Sequence, residues 1–159
     1  MKDGKHDRAV SFHEAGHAVV ALALGRPVQL VTVLPDKQRL GRCEFGKGKF
    51  KPTDDWLERE VLIALAGVAA EARVTGRYDW GGAQQDLRGV EKLASLRAGD
   101  RHWERLSRRM LSKVENLLEH PGNWRAVELI AEELIRVGEI SGRAARHFFD
   151  KGLAEFADA

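Results

Sequence analysis

The sequence predicts a mainly α-helical fold that carries one small β-sheet or hairpin. Three observations predict it. Six segments place apolar residues at helical spacing, one short β-branched stretch alternates, and glycine or proline marks most of the joints between them. At 159 residues the chain fits a single domain, 1–159, with residues 1–100 forming a core around a candidate metal site and 101–159 a helical C-terminal part.

The first helix runs from about Asp7 to Leu24 and is closed by Gly25-Arg26-Pro27, since glycine suits a C-cap and proline cannot continue the turn. Val28 to Leu34 is β-branched at Val28, Val31, Thr32 and Val33 and reads as a strand. Pro35-Asp36 breaks it, and Leu40 to Phe45 returns as a hairpin partner. After a loop through Gly46 to Pro52, Thr53-Asp54-Asp55 offers an N-cap and first-turn acids for a helix from about Asp54 to Val74. Gly76 to Gly82 is a loop. Ala83 to Ala98 is a third helix, with Leu87, Val90, Leu93 and Leu96 on one side. Two amphipathic helices follow, one marked by Trp103, Leu106, Met110, Val114, Leu117 and Leu118, the next by Trp124, Val127, Ile130, Leu134 and Val137. Pro121-Gly122 separates them, and Gly138 and Ser141 punctuate the chain before a last helix from about Ala144 to Phe156.

Composition narrows the function classes. Hydrophobic residues at 43% and charged residues at 31% describe a folded globular chain and exclude a disordered one. The lone cysteine, Cys43, excludes an intrachain disulfide and a cysteine-rich zinc finger, and makes a cytoplasmic compartment the simplest reading. The longest uncharged apolar run, Val61 to Ala70, is too short to span a bilayer, and Met1 to Arg8 is polar with no signal-peptide core behind it. Arg97, Arg101, Arg105, Arg108 and Arg109 crowd one segment, but Trp103 is its sole aromatic residue. A solvated helix face explains it better than a nucleic-acid patch. Gly41 to Gly48 imitates a phosphate-binding loop, yet Gly48 stands where the magnesium-binding hydroxyl belongs and Pro52 blocks the following helix.

The chemistry concentrates in His13-Glu14-Ala15-Gly16-His17. On a helix, residues four apart lie on one face about 6 Å apart along the axis. His13 and His17 can therefore hold one zinc ion per chain, and Glu14 can act as general base on a water activated there. A catalytic zinc needs a third protein ligand. Asp86, in the first turn of a helix after Gly81-Gly82, and Glu71, near the end of the middle helix, both qualify by spacing. His102, His120 and His147 fall on charged faces and are bland. Ala15, Gly16 and Ala18 on one helix, with Ala64, Gly67 and Ala70 on another, would let the two axes approach closely. Gly16 costs roughly 1 kcal/mol against alanine inside a helix, so close packing is its reason.

His13 to Ala18, the strand Val31 to Pro35 with Leu40-Gly41 after it, Ala66 to Ala72, and Gly81 to Leu87 together resemble the peptidase domain of the FtsH-type AAA proteases. The helical C-terminus is similar too, so the resemblance covers nearly the whole chain. Pro35-Asp36-Lys37 stands where that family has P-R-G, and Ala70-Glu71-Ala72 where it has A-E-E. The resemblance implies zinc held by His13, His17 and Asp86, Glu14 as general base, and Glu71 as a supporting residue. It also implies that the strand at Leu40, Gly41 and Arg42 takes up a substrate peptide by β-augmentation.

The expected function is that of a zinc metallopeptidase acting on peptides or unfolded protein segments. No ATPase motif stands within these 159 residues, so the expectation is ATP-independent hydrolysis. Two further partners stay open: other copies of the chain in a homo-oligomer, and a separate ATPase delivering substrate in trans. The rival class is a zinc-bearing scaffold or regulatory domain without productive proteolysis. It leaves Glu14 unexplained, because a purely structural zinc needs no base.

Overall fold

The computed structural model describes residues 6–36, 41–45, 56–98 and 102–157. Among them the order is α1 (Arg8–Ala23), β1 (Val28–Thr32), β2 (Arg42–Phe45), α2 (Trp56–Thr75), α3 (Gln84–Ala98), α4 (Trp103–Glu119), α5 (Pro121–Val137), β3 (Glu139–Ser141) and α6 (Gly142–Ala154). The expected class, mainly helical with a small sheet, is the class observed.

The ends of α1 follow its sequence closely. Asp7 caps the N-terminus, its carboxylate accepting the Val10 N–H at 2.8 Å. At the other end Gly25 takes φ +83°, its N–H bonds the Leu22 carbonyl, and the Arg26 N–H reaches back to the Ala21 carbonyl at 2.8 Å. Those two crossed bonds satisfy carbonyls the helix leaves open, and only the left-handed glycine permits them.

The sheet is antiparallel throughout, in the order β2-β1-β3. Val31 at its centre pairs with Cys43 on one side and Ile140 on the other, and the β1–β2 register slips between Val28 and Leu30. The hairpin expected between the first two strands is present. Leu40, placed at the start of its second strand, lies outside the described residues, as do the loop from Gly46 and the Thr53-Asp54-Asp55 cap. Two expectations are corrected. Residues 139–141 are a third strand and not mere punctuation, because Glu139, Ile140 and Ser141 find pairing partners on β1. The break expected at Pro121-Gly122 falls one residue earlier, at His120: Pro121 opens α5, in the first turn where its missing N–H costs nothing. His120 makes that corner by accepting the Asn123 N–H, and Asn123 Nδ2 in turn donates to the Leu117 carbonyl that ends α4.

One continuous buried cluster joins α1, α2, α4, α5 and α6, including Phe12, Val19, Leu65, Leu118, Ile130, Leu134 and Phe149. Each large aliphatic side chain so buried contributes about 1.5–3 kcal/mol. At its centre α1 and α2 cross at very short range. A Cβ on Gly16 would lie 2.5 Å from the Ala66 carbonyl oxygen and 2.6 Å from the Ala70 Cβ, closer than atoms tolerate. Gly16 thus sets the crossing distance, as its helix-weakening presence suggested. No helix among the described residues is long and apolar enough to cross a membrane.

Candidate metal centre

α1 presents His13 and His17 one turn apart toward α2 and the start of α3, with ring centroids 4.8 Å apart. Asp86, in the first turn of α3, comes to both. Its Oδ2 lies 2.9 Å from His13 Nε2 and 3.2 Å from His17 Nε2. Glu71 does not reach that shared point. It sits behind the first imidazole, with Oε1 at 3.6 Å from His13 Nδ1. By distance the two acids differ: Asp86 faces the convergent nitrogens and Glu71 faces the far side of one ring.

His17 is held from behind as well. Its Nδ1–H donates to the Ile63 carbonyl at 2.7 Å, a bond that leaves a lone pair on Nε2. The Asp86 carboxylate also offers only lone pairs. Two acceptors at this distance need a proton or a cation between them. Burial opposes charging His13, yet the Asp86 carboxylate, helped by Glu71 and Glu14, outweighs it and pushes the pKa up to about 10. Burial likewise opposes charge on His17, whose pKa is nonetheless raised by Asp86. Burial would raise the Asp86 carboxyl, but the two imidazoles hold it far below the usual carboxylate range.

The donor set fits a zinc ion. Tetrahedral zinc, with bonds of about 2.0–2.1 Å, keeps neighbouring nitrogen and oxygen ligands roughly 3.3 Å apart. The separations of 2.9 and 3.2 Å between Asp86 and the imidazoles are of that size. Glu14, 5% exposed, offers a second carboxylate whose oxygen lies within 4.8 Å of both histidine nitrogens. It follows His13 directly on α1 and is the looser neighbour of the pair, while Asp86 is at bonding distance.

Backbone proximity completes the pocket. A Cβ on Gly67 would fall 2.4 Å from His17 Nε2 and 2.5 Å from His13 Nε2, so α2 can form the floor beneath both nitrogens only with glycine there. The sequence offered Gly67 as a packing residue, and its contact with the imidazoles needed the fold. The Ile63 carbonyl has no sequence signal at all. Both supports act on the rings that carry the chemistry.

A cavity of about 600 Å³ opens over this cluster, lined by His13, Glu14 and His17 from α1, by Gly41, Arg42, Cys43 and Phe45 along β2, and by Glu71, Arg77, Asp79 and Asp86 opposite. Gly41 permits β2 to lie close: a Cβ there would meet the Thr32 carbonyl at 2.9 Å and Glu14 Cγ at 3.2 Å. Arg42 bonds Glu44 at 2.8 Å and Asp36 at 3.0 Å. Burial, with Glu14 nearby, pushes the Cys43 thiol well above its ordinary pKa, so it is an inert wall and not a nucleophile. Among the described residues β2 pairs on one side only, which leaves a strand edge beside the cavity. His102, His120 and His147 are exposed and away from it. Arg105, Arg108 and Arg109 are exposed on α4, as a solvated face requires; Arg101 lies outside the described residues.

The profile of Peptidase family M41 matches residues 1–99. The chain is 32% identical over 155 residues, 92% of its length, to the ATP-dependent zinc metalloprotease FtsH of Acidimicrobium ferrooxidans, of which it covers 21%. It is 34% identical over 132 residues, 79% of its length, to the ATP-dependent zinc metalloprotease FtsH 2 of Symbiobacterium thermophilum, again covering 21%. Against the ATP-dependent zinc metalloprotease FtsH of Thermobaculum terrenum it is 36% identical over 91 residues, 55% of this chain and 14% of that protein. The chain thus spans about a fifth or less of the length of these relatives.

Proposed function

The chain belongs to peptidase family M41, and from that premise we propose that it is a zinc metallopeptidase which hydrolyses peptide bonds in peptides or unfolded segments. His13, His17 and Asp86 would hold one zinc ion per chain. The observation that carries this reading is the convergence of two imidazole nitrogens and one carboxylate oxygen, 2.9 and 3.2 Å apart, on the floor made by Gly67.

When bound, zinc supplies Lewis acidity that brings water toward ionisation at neutral pH and offsets negative charge developing on a carbonyl oxygen. The remaining work falls to the chain. Glu14, buried beside His13 and facing the cavity, takes the proton of the attacking water and passes it to the leaving amine. Ile63 and Glu71 fix the two rings from behind, so the ligand nitrogens keep their aim. The open edge of β2, from Arg42 with Gly41 just before it, takes the substrate as an added strand and lays its backbone across the cavity; Leu40, outside the described residues, is the third residue assigned to that role. All of these groups belong to one chain, and none requires nucleotide, so hydrolysis of short or unfolded substrates proceeds without ATP. A folded substrate calls for an unfolding partner, whether an ATPase supplied in trans or one within a larger assembly of copies.

Cleavage of casein by the zinc-loaded chain, beside a Glu14→Gln variant, tests this. Loss of cleavage in the variant with zinc retained supports the assignment. Equal cleavage by both removes Glu14 as the base. Zinc bound with no cleavage by either points to the scaffold role instead.

A further inference from the structure

We propose that Arg77 is a specificity residue of the cleft, its guanidinium receiving a carboxylate of the bound peptide, either an acidic side chain or the free C-terminus. The proposal rests on the peptidase reading and names the substrate feature that reading leaves open.

The charged groups around the cavity mostly have partners. Asp7 caps α1, Glu71 faces His13 and Asp86 faces both imidazoles. Arg42 is bound to Glu44 and Asp36. Asp79 is exposed, its Oδ1 accepting the Gly82 N–H at 2.9 Å. Among the described residues no ion pair joins it to Arg77 two residues away. Of the two guanidinium groups that line the cavity, Arg77 alone has no carboxylate within ion-pair distance among the described residues.

Its position is built. α2 ends where Gly76 takes φ +87° and its N–H bonds the Ala72 carbonyl at 2.8 Å. Thr75 Oγ1 then donates to the Arg77 carbonyl at 3.0 Å. These bonds pin the Arg77 backbone at the rim, so the ordering cost falls on the side chain alone. The β2 residues Arg42, Cys43 and Phe45 line the same cavity, where the substrate would lie. A cation there, in a cleft otherwise rich in carboxylates, attracts one acidic group and leaves the rest of an acidic peptide repelled. The preferred substrate is thus a peptide with a single well-placed carboxylate, not a polyanionic one.

The test uses short fluorogenic peptides in pairs, glutamate against glutamine at each position flanking the cleaved bond, each with a free or amidated C-terminus. The wild-type chain should favour one carboxylate-bearing peptide by about fivefold in kcat/KM, the upper range for an exposed ion pair. Arg77→Gln should abolish the advantage, Arg77→Lys restore part of it, and Arg77→Glu transfer it to lysine at the same position. Loss on amidation assigns the C-terminus, and loss on glutamine substitution assigns the side chain. Equal rates for every pair in the wild type, or an advantage that survives Arg77→Gln, overturns the proposal. Failure of the peptidase reading is separable. Fluorescence anisotropy with the Glu14→Gln variant measures the same preference as affinity, whether or not any peptide is cut.

Discussion

α1 and α4 are nearly the same length, 16 and 17 residues, yet α1 buries eleven residues and α4 three. α1 is largely enclosed by small and apolar residues apart from the cavity over its histidines, and Ser11, Glu14 and His17 are buried with them. Polar groups in such a place cost stability unless they are bonded. Ser11 is satisfied by its own helix, donating to the Asp7 carbonyl at 2.6 Å, and His17 by Ile63. α4 instead shows a single seam of Met110, Val114 and Leu118 and turns its charges to water. One helix spends burial on chemistry, while α4, α5 and α6 enclose it. The comparison teaches that the two parts should fail differently when altered.

The largest effect is expected at Glu14. Glu14→Gln should lower turnover by at least about 100-fold with bound zinc, read by metal analysis, unchanged; Asp86→Ala should lose the zinc as well. Retained zinc in the Asp86 variant would remove that ligand from the set. Next comes Leu134→Ala in the outer layer, which should cost about 2–5 kcal/mol of unfolding free energy. Zinc affinity of the molecules still folded should not move, and a tenfold drop would mean the two layers are not separable. Gly67→Ala and Gly152→Ala sharpen this, because both glycines meet atoms at 2.4–2.6 Å. Each should cost about 1–3 kcal/mol by overpacking, but only Gly67→Ala should weaken zinc binding in a competition titration.

In the acid-to-neutral range pH acts chiefly on the site once a chelator has removed metal. His13 has its folded pKa raised to about 10 from 6.5, so its contribution is complete below about 6.5 and is lost as pH rises through about 10. Asp86 is held below its ordinary 3.8, so its contribution is complete above that value and is lost as pH falls below it. Thermal denaturation of the chelated chain should therefore peak between about pH 4 and 6.5, and Asp86→Asn should flatten that profile. The smallest effect belongs to Tyr78→Phe. Tyr78 stacks on Trp80 at 5.1 Å and donates to Glu115 at 2.8 Å, tying the loop before α3 to α4. Its loss should cost about 1 kcal/mol, the typical net worth of one hydrogen bond, kept from the higher range of charged acceptors by its exposure, and a fall in zinc affinity would show that α4 helps to place Asp86.

Much of this was legible in the sequence for local reasons. The α1 boundaries follow from Asp7 and Gly25, whose side-chain oxygen and left-handed backbone act within a few residues. The two histidines four apart carry their own geometry. The third position did not, since spacing admitted both Asp86 and Glu71 and only the family resemblance pointed to Asp86. β3 gave no signal because three residues led by an exposed glutamate show no alternation, and only pairing with β1 makes them a strand. Pro121 was read as a break when its chemistry equally suits a beginning. Gly67 and the Ile63 carbonyl act through backbone approach across an interhelical contact, a relation that no local pattern encodes.

The partner of His13 at the site lies 73 residues further along the chain. A metal ion held by both would act as a staple closing a long loop, and the entropy of closure grows only as about (3/2)RT ln n. Such an ion would belong to the folding equilibrium as much as to the proposed reaction: each tenfold excess of free zinc over its dissociation constant would add about 1.4 kcal/mol to the folded state. In a zinc-poor environment the chain would lose α3 from its place before losing α1 and α2, and abundance would follow metal supply.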